Sequence, residues 1–174
     1  DLHALEHGDK LVEAARESES PFALDLSRDL VMGHEFCVEI LDFGPGTTSR
    51  LKPGDRAVSM PILLRPPRIE PLGYSNEVPG GYGERMLLSA GFLLPVPNGL
   101  ATEHAALTEP MAVGLHAVEM AKIQKSDVPL VIGCGPVGLA VIAALQLKGI
   151  EPIVASDYSP ARRRLATTLG AHVV

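Results

Sequence analysis

The sequence predicts two domains of different class: a small β-barrel or sandwich ending near residue 98, then an α/β domain built on a parallel sheet. Three observations predict this. Short apolar runs separated by Gly/Pro turns fill residues 32–97. The order of apolar and helix-forming runs after residue 126 reads β-α-β-α-β. The first strand-to-helix junction of that second part carries Gly133-Cys134-Gly135-Pro136-Val137-Gly138.

In chain order, residues 1–29 are mostly polar, and no helix of length is expected before residue 98. Phe36, Val38 and Ile40 alternate as on a strand, and Gly44-Pro45-Gly46 closes the run with a turn. Pro53-Gly54 marks a second turn, with Asp55 at its exit and a short strand at 56–60. Residues 61–83 are rich in proline and glycine and read as an irregular loop or lobe. Another strand fits 85–89, and Phe92 to Pro97 reads as an extended segment limited by prolines. Thr102 is placed to cap a helix that Pro110 interrupts, after which MAVGLHAVEMAK resumes a helical pattern. Strands are expected at 127–132 and 151–155 and from Val173, with helices at 137–147 and 159–169 and Gly170 as the C′ residue.

Composition narrows the function. The 174 residues are 46% hydrophobic with a mean hydropathy of +0.18, enough for one good core or two modest ones. Fifteen Lys+Arg against twenty-one Asp+Glu give a net charge of −6, and there is no tryptophan. Such a surface has no basic excess for phosphates and no stacking platform, so nucleic acid is excluded as a partner. The two cysteines, Cys37 and Cys134, form neither a CxxC pair nor a disulfide framework. The N-terminal segment is not a signal peptide, and no apolar run is long enough for a bilayer. The expectation is a cytoplasmic protein with no membrane partner. Its abrupt start at Asp1 and its end on a nascent strand suggest a piece of something longer.

The glycine turn has its strand before it, its helix after it, and Asp157 at the end of the next strand. That context suits a dinucleotide: Gly133 for the tight turn, Gly135 for approach of a pyrophosphate, Gly138 for close packing. Asp157 is placed to accept from a ribose 2′-hydroxyl and to repel a 2′-phosphate, which favours NAD. An unrelated glycine turn with an incidental aspartate is the bland alternative. Among Arg162, Arg163 and Arg164, solvated helix surface accounts for at least two.

Gly33-His34-Glu35 is ambiguous by itself. Neighbours on a strand point to opposite faces, so the pair is either a polar strand shoulder or a metal site at a twisted strand entrance. Cys37 falls inside an apolar run where a cysteine is usually inert. Glu109 is an acid in an unusual place, before Pro110. His7, His104 and His116 fit surface or capping roles.

Taken together, GHEFCVEI (33–40), LKPGDRAV (51–58), GGYGERM (80–86), TEP (108–110), VIGCGPVGL (131–139) and VASDYSPARRRLATTLGA (154–171) resemble, in order and over the whole chain, a zinc-dependent medium-chain dehydrogenase/reductase of the alcohol, sorbitol and threonine dehydrogenase branch. The resemblance implies a GroES-like β-barrel-type catalytic domain at 1–98, an interdomain helical segment at 99–126 and the first half of a Rossmann domain at 127–174, truncated at both ends. It implies His34 as a ligand of one catalytic Zn2+, Glu35 as ligand or as the acid behind it, and Glu109 as the glutamate beside the metal. It matches Asp1 to an acid that orients the histidine and His3 to a proton relay, and it places a cysteine ligand just upstream of Asp1. Gly133, Gly135, Pro136, Val137, Gly138, Asp157 and Arg162 match the NAD site. Residues 60–83 lack the family's four cysteines, so no structural zinc is expected.

The implied activity is oxidation of an alcohol or polyol to a carbonyl, with hydride passing to NAD, by a homo-oligomer in its full-length form. The piece by itself is expected to hold zinc poorly and to be inactive. The rivals are a zinc-free quinone or enoyl reductase and a non-catalytic dinucleotide-binding module; GHE and Glu109-Pro110 argue against the first.

Overall fold

A computed structural model describes residues 2–18 and 24–174, and leaves the side chains of Leu2 and His3 undescribed. The chain divides into two compact units, Asp1–Glu109 and Pro110–Val174.

The first unit opens on two helices, α1 (Leu2–Glu6) and α2 (Gly8–Glu17). These correct the expectation of no helix before residue 98. GDKLVEAARE is made mostly of good helix formers. Gly8, Val12 and Ala15 are half-buried at helical spacing, a short apolar face within an otherwise polar segment.

β1 (Val38–Glu39), β2 (Arg56–Val58) and β5 (Leu94–Pro95) then form one antiparallel sheet in the order β1-β2-β5. The turn between β1 and β2 is as anticipated. Gly54, at φ +90°, donates to the Ile40 carbonyl at 2.8 Å, and Asp55 Oδ2 accepts from the Lys52 amide at 2.9 Å.

Residues 61–83 are not irregular throughout. β3 (Ile62–Arg65) and β4 (Arg68–Pro71) pair as a hairpin with Leu63 opposite Glu70, closed by Pro66-Pro67. Within the hairpin, prolines stand only at the turn and at the last position of β4, where no ladder donor is lost. Conversely, 85–89 forms no strand; Ser89 Oγ instead accepts from the Leu64 amide at 2.8 Å, tying that segment to the hairpin. Phe36, Leu63, Leu72 and Val78 make the unit's core, and no closed barrel is present among the described residues.

A short helix, α3 (Thr102–Ala105), and a longer one, α4 (Thr108–Ala121), follow. Ala101, not Thr102, is the cap of α3, and the Thr102 hydroxyl accepts from Arg56 Nη1 at 2.9 Å. Pro110 does not interrupt the helix. It lies in the first turn of α4, where a missing N–H costs nothing.

In the second unit β6 (Leu130–Ile132) and β7 (Val154–Ser156) pair in parallel through α5 (Pro136–Leu147), and α6 (Pro160–Thr168) follows. Val173 bridges to Val154 in parallel, so the third strand is present only as its first contact. β6 is shorter than expected because Asp127 is spent on a turn, its Oδ2 accepting from the Gln124 amide at 2.8 Å. Ile142, Leu145, Ile153 and Cys134 are fully buried in the core of this unit. Gly114 of α4 lets that helix lie against Ala140 of α5, where an added Cβ would be 2.6 Å from the alanine methyl. Gly170, at φ +116°, ends α6 as expected, and Ala171 donates back to the Ala166 carbonyl at 2.9 Å. Among the described residues no helix is long and apolar enough to cross a membrane.

Candidate functional site

His34 and Glu35 do not stand on a strand. They lie on a bent segment ahead of β1, with the bend at Glu35 itself. Their side chains are therefore not forced to opposite faces, since adjacent side chains diverge that way only on regular pleated backbone.

Gly33 sets the bend. Its φ is +102°, and a Cβ there would be 2.7 Å from the Tyr82 amide nitrogen. Gly80 is equally committed: its Cβ would lie 2.5 Å from the Gly33 carbonyl oxygen and 2.6 Å from the Gly73 Cα. Three backbones thus meet where only hydrogen side chains fit. They are laced by hydrogen bonds from the amides of Gly80 to Val31 O (2.8 Å), Gly81 to Gly33 O (2.7 Å) and Tyr82 to Met32 O (3.0 Å).

On this frame His34, Glu35 and Glu109 converge, one donor atom from each lying within 4.8 Å of the others. Glu109 arrives from the first turn of α4, where an acid is favoured by the helix N-terminus. Donors on one zinc, at bond lengths of about 2.0–2.2 Å, stand no more than about 4.4 Å apart. Short side-chain adjustments would be needed to bring all three to one ion, and an imidazole with two carboxylates is a donor set that zinc would accept. His34 and Glu109 are half-buried and Glu35 exposed, so the locus is open to a substrate.

Tyr74 is the neighbour that sequence reasoning missed. Its ring is tilted 47° to His34 with centroids 5.5 Å apart. Burial, then the nearby Tyr82, Glu109 and Glu35, hold its phenol above the usual range. The signal was in the sequence as the Gly73-Tyr74 and Gly81-Tyr82 dipeptides, each pairing a close-approach glycine with a ring.

Cys37 is half-buried outside the cluster, and burial pushes its thiol up, as expected of an inert cysteine. His104 and His116 are exposed on α3 and α4. His3 belongs to α1, and Asp1 lies outside the described residues.

In the second unit Gly133 takes φ +92° and donates to the Ser156 carbonyl at 2.8 Å, so the turn begins where β6 leaves β7. Gly135 caps α5, Pro136 occupies its first turn, and no atom would meet a Cβ on Gly135 within 4 Å. That open backbone above a helix N-terminus suits a phosphate. A Cβ on Gly138 would run into the Gly133 carbonyl, and Val137 is exposed beside it.

Asp157 closes the site. Oδ2 accepts from the Cys134 amide at 2.8 Å and Oδ1 from the Ser159 amide at 2.7 Å. These bonds, with Arg162 and Arg163 nearby, hold its carboxyl below the usual carboxylate range. Arg162 Nη1 stands 3.8 Å from Oδ2. Arg163 instead donates to the carbonyls of Asp157 (2.7 Å) and Tyr158 (3.1 Å), a structural duty. Arg164 is exposed. Cys134 is fully buried, and its thiol is raised by burial and by Asp157.

No protein-family model matches the chain. Among curated proteins it is 38% identical over 153 residues to the (R,R)-butanediol dehydrogenase of Bacillus subtilis (strain 168), an alignment covering 83% of this chain and 44% of that protein. The solved 2R,3R-butanediol dehydrogenase from Bacillus subtilis superposes with a TM-score of 0.72, covering 82% of this chain and 43% of that one. The chain belongs to the zinc-type medium-chain dehydrogenases. An erythritol/L-threitol dehydrogenase from Mycolicibacterium smegmatis is 32% identical and aligns to 82% of this chain and 44% of its own length. The galactitol-1-phosphate dehydrogenase of Escherichia coli, at 28% identity and a TM-score of 0.71, shares the fold over 82% of this chain and 44% of its own. The chain thus spans under half the length of these family members.

Proposed function

We propose that the protein oxidises an alcohol or polyol to a carbonyl, using one zinc ion at His34, Glu35 and Glu109 and NAD at the glycine turn. The convergence of one imidazole and two carboxylates within 4.8 Å carries this reading. The names of its relatives, butanediol and erythritol/L-threitol dehydrogenases, support the substrate class. We assign the first unit to the GroES-like catalytic domain and the second to the start of the Rossmann domain.

A zinc ion held there supplies Lewis acidity to a substrate hydroxyl. The chain's own residues do the rest. The Gly33, Gly73 and Gly80 contact fixes the backbone from which His34 and Glu35 project, so the donor set is prearranged. Tyr74 presents a neutral phenol and an apolar ring beside His34, which narrows the space open to water. The open backbone at Gly135 and the first amides of α5 receive the pyrophosphate, and Asp157, ionised and held by two amides, accepts from the adenosine ribose. Arg162 lies beside it on the exposed face of α6. We give His3 the passage of the hydroxyl proton to solvent, with Asp1 as the acid that orients a histidine ligand, on the family resemblance alone.

Elemental analysis of the full-length protein with an NAD-reduction screen over an alcohol panel tests the proposal. We expect one zinc per chain and alcohol-dependent NADH. Absence of both sinks it.

A further inference from the structure

Two closely approaching glycines are each followed by a ring. A Cβ on Gly73 would lie 2.8 Å from the Gly33 carbonyl oxygen, and the next residues, His34 and Tyr74, set their rings 5.5 Å apart at a tilt of 47°. Tyr74 has little freedom to be elsewhere. Leu72, two residues before it, is buried and donates its amide to the Pro61 carbonyl at 2.8 Å. Ser75, after it, is buried too; its hydroxyl donates to Glu70 Oε2 at 3.0 Å and accepts from the Glu77 amide at 3.1 Å. The Tyr74 amide itself donates to the Pro71 carbonyl at 3.1 Å. The fold therefore delivers the phenol ring to the imidazole from a backbone anchored on both sides.

What the contact does follows from the needs of an imidazole ligand. One ring nitrogen must face the ion, and the torsion that aims it, about Cβ–Cγ, is broad for histidine. A ring held against the imidazole narrows that torsion before any ion arrives, and tilted rings at this separation attract. The ring rather than the hydroxyl carries this effect. No hydrogen bond from Tyr74 Oη is formed among the described residues, although the charges of Glu109 and Glu35 bear on the phenol. Tyr74 also lines an apolar cavity of about 270 Å³ with Leu11, Val12, Leu24 and Pro71, so an aliphatic side chain is accommodated at this position.

We propose that Tyr74 is a positioning residue for the metal centre, its ring holding the His34 imidazole in the orientation that meets the ion. The proposal rests on the reading of His34, Glu35 and Glu109 as zinc ligands. Its test is the zinc affinity of the full-length protein, by chelator competition without alcohol or NAD. We expect Tyr74→Leu to weaken zinc binding about three- to tenfold and Tyr74→Phe to keep wild-type affinity. Tyr74→Ile repeats the aliphatic arm with a different shape, and urea unfolding of each metal-free variant shows that it is folded. Cobalt(II) bound in place of zinc gives a readout that loss of packing alone would not move. Its visible absorption band should shift in Tyr74→Leu and keep its place in Tyr74→Phe. Unchanged zinc affinity in the folded aliphatic variants overturns the proposal. Equal loss in Tyr74→Phe also overturns it, since the hydroxyl and not the ring would then be at work. A wild-type protein that takes up no zinc overturns both this role and the reading beneath it. Zinc uptake without alcohol-dependent NADH removes only the reaction and leaves the affinities to decide the role of Tyr74.

Discussion

In the second unit, the glycine turn and its acidic partner come from one β-α-β stretch, with Cys134 and Asp157 twenty-three positions apart and joined directly by a hydrogen bond. In the first unit, the candidate metal ligands come from positions 34, 35 and 109, and only long-range packing brings Glu109 to the adjacent His34 and Glu35. One site is a property of a local motif and the other of long-range packing. The nucleotide site is therefore robust to changes elsewhere, whereas the metal site depends on backbone contacts that include none of its ligands.

The largest expected effect breaks the frame without touching a ligand. Gly33→Ala combines a φ of +102° with a backbone clash and should cost about 3 kcal/mol or more in urea denaturation of the first unit, with loss of bound zinc. Retention of zinc at wild-type affinity would show that the frame does not set the site. His34→Ala makes the complementary cut. Zinc affinity, measured by chelator competition, should fall more than about 100-fold, while metal-free stability moves by only about 1 kcal/mol.

In the other unit Asp157→Asn should weaken NAD binding about tenfold in equilibrium titration, since hydrogen bonds to a charged acceptor are the strong ones. The same substitution tests a pH dependence. The folded-state pKa of Asp157 lies below its unfolded value, so its stabilisation is present above the ordinary carboxylate range and is lost as pH falls through the folded value. A Tm series should show the gap between wild type and variant closing in acid. Smallest is Arg162→Ala, an exposed pair at 3.8 Å, whose effect on stability should stay within about 0.5 kcal/mol.

The same contrast explains how far the sequence could be read. Gly133, Gly138 and Asp157 were legible because each does a local job that residue type and spacing encode. α2 was missed although its apolar residues recur at helical spacing, because the face they make is short and only half-buried within a polar segment. The β3–β4 hairpin hid behind its prolines, which turn out to occupy only its turn and its last position. His34 and Glu109 could be named from motifs, yet that Glu35 reaches the same point depends on the bend after Gly33, which alternation along a strand argues against. Tyr74 left only the Gly73-Tyr74 dipeptide as a trace, because its role comes from what it lies against.

The meeting of Gly33, Gly73 and Gly80 also bears on how this sequence can drift. Each position tolerates no side chain while the other two backbones stay in place, so none can change first. His34 is under a different constraint: replacing it removes chemistry and leaves the scaffold intact. In a lineage that abandoned the reaction, the histidine would be lost early and the three glycines would outlast it. A descendant with all three glycines and no histidine would be a fossil of the scaffold without its trade.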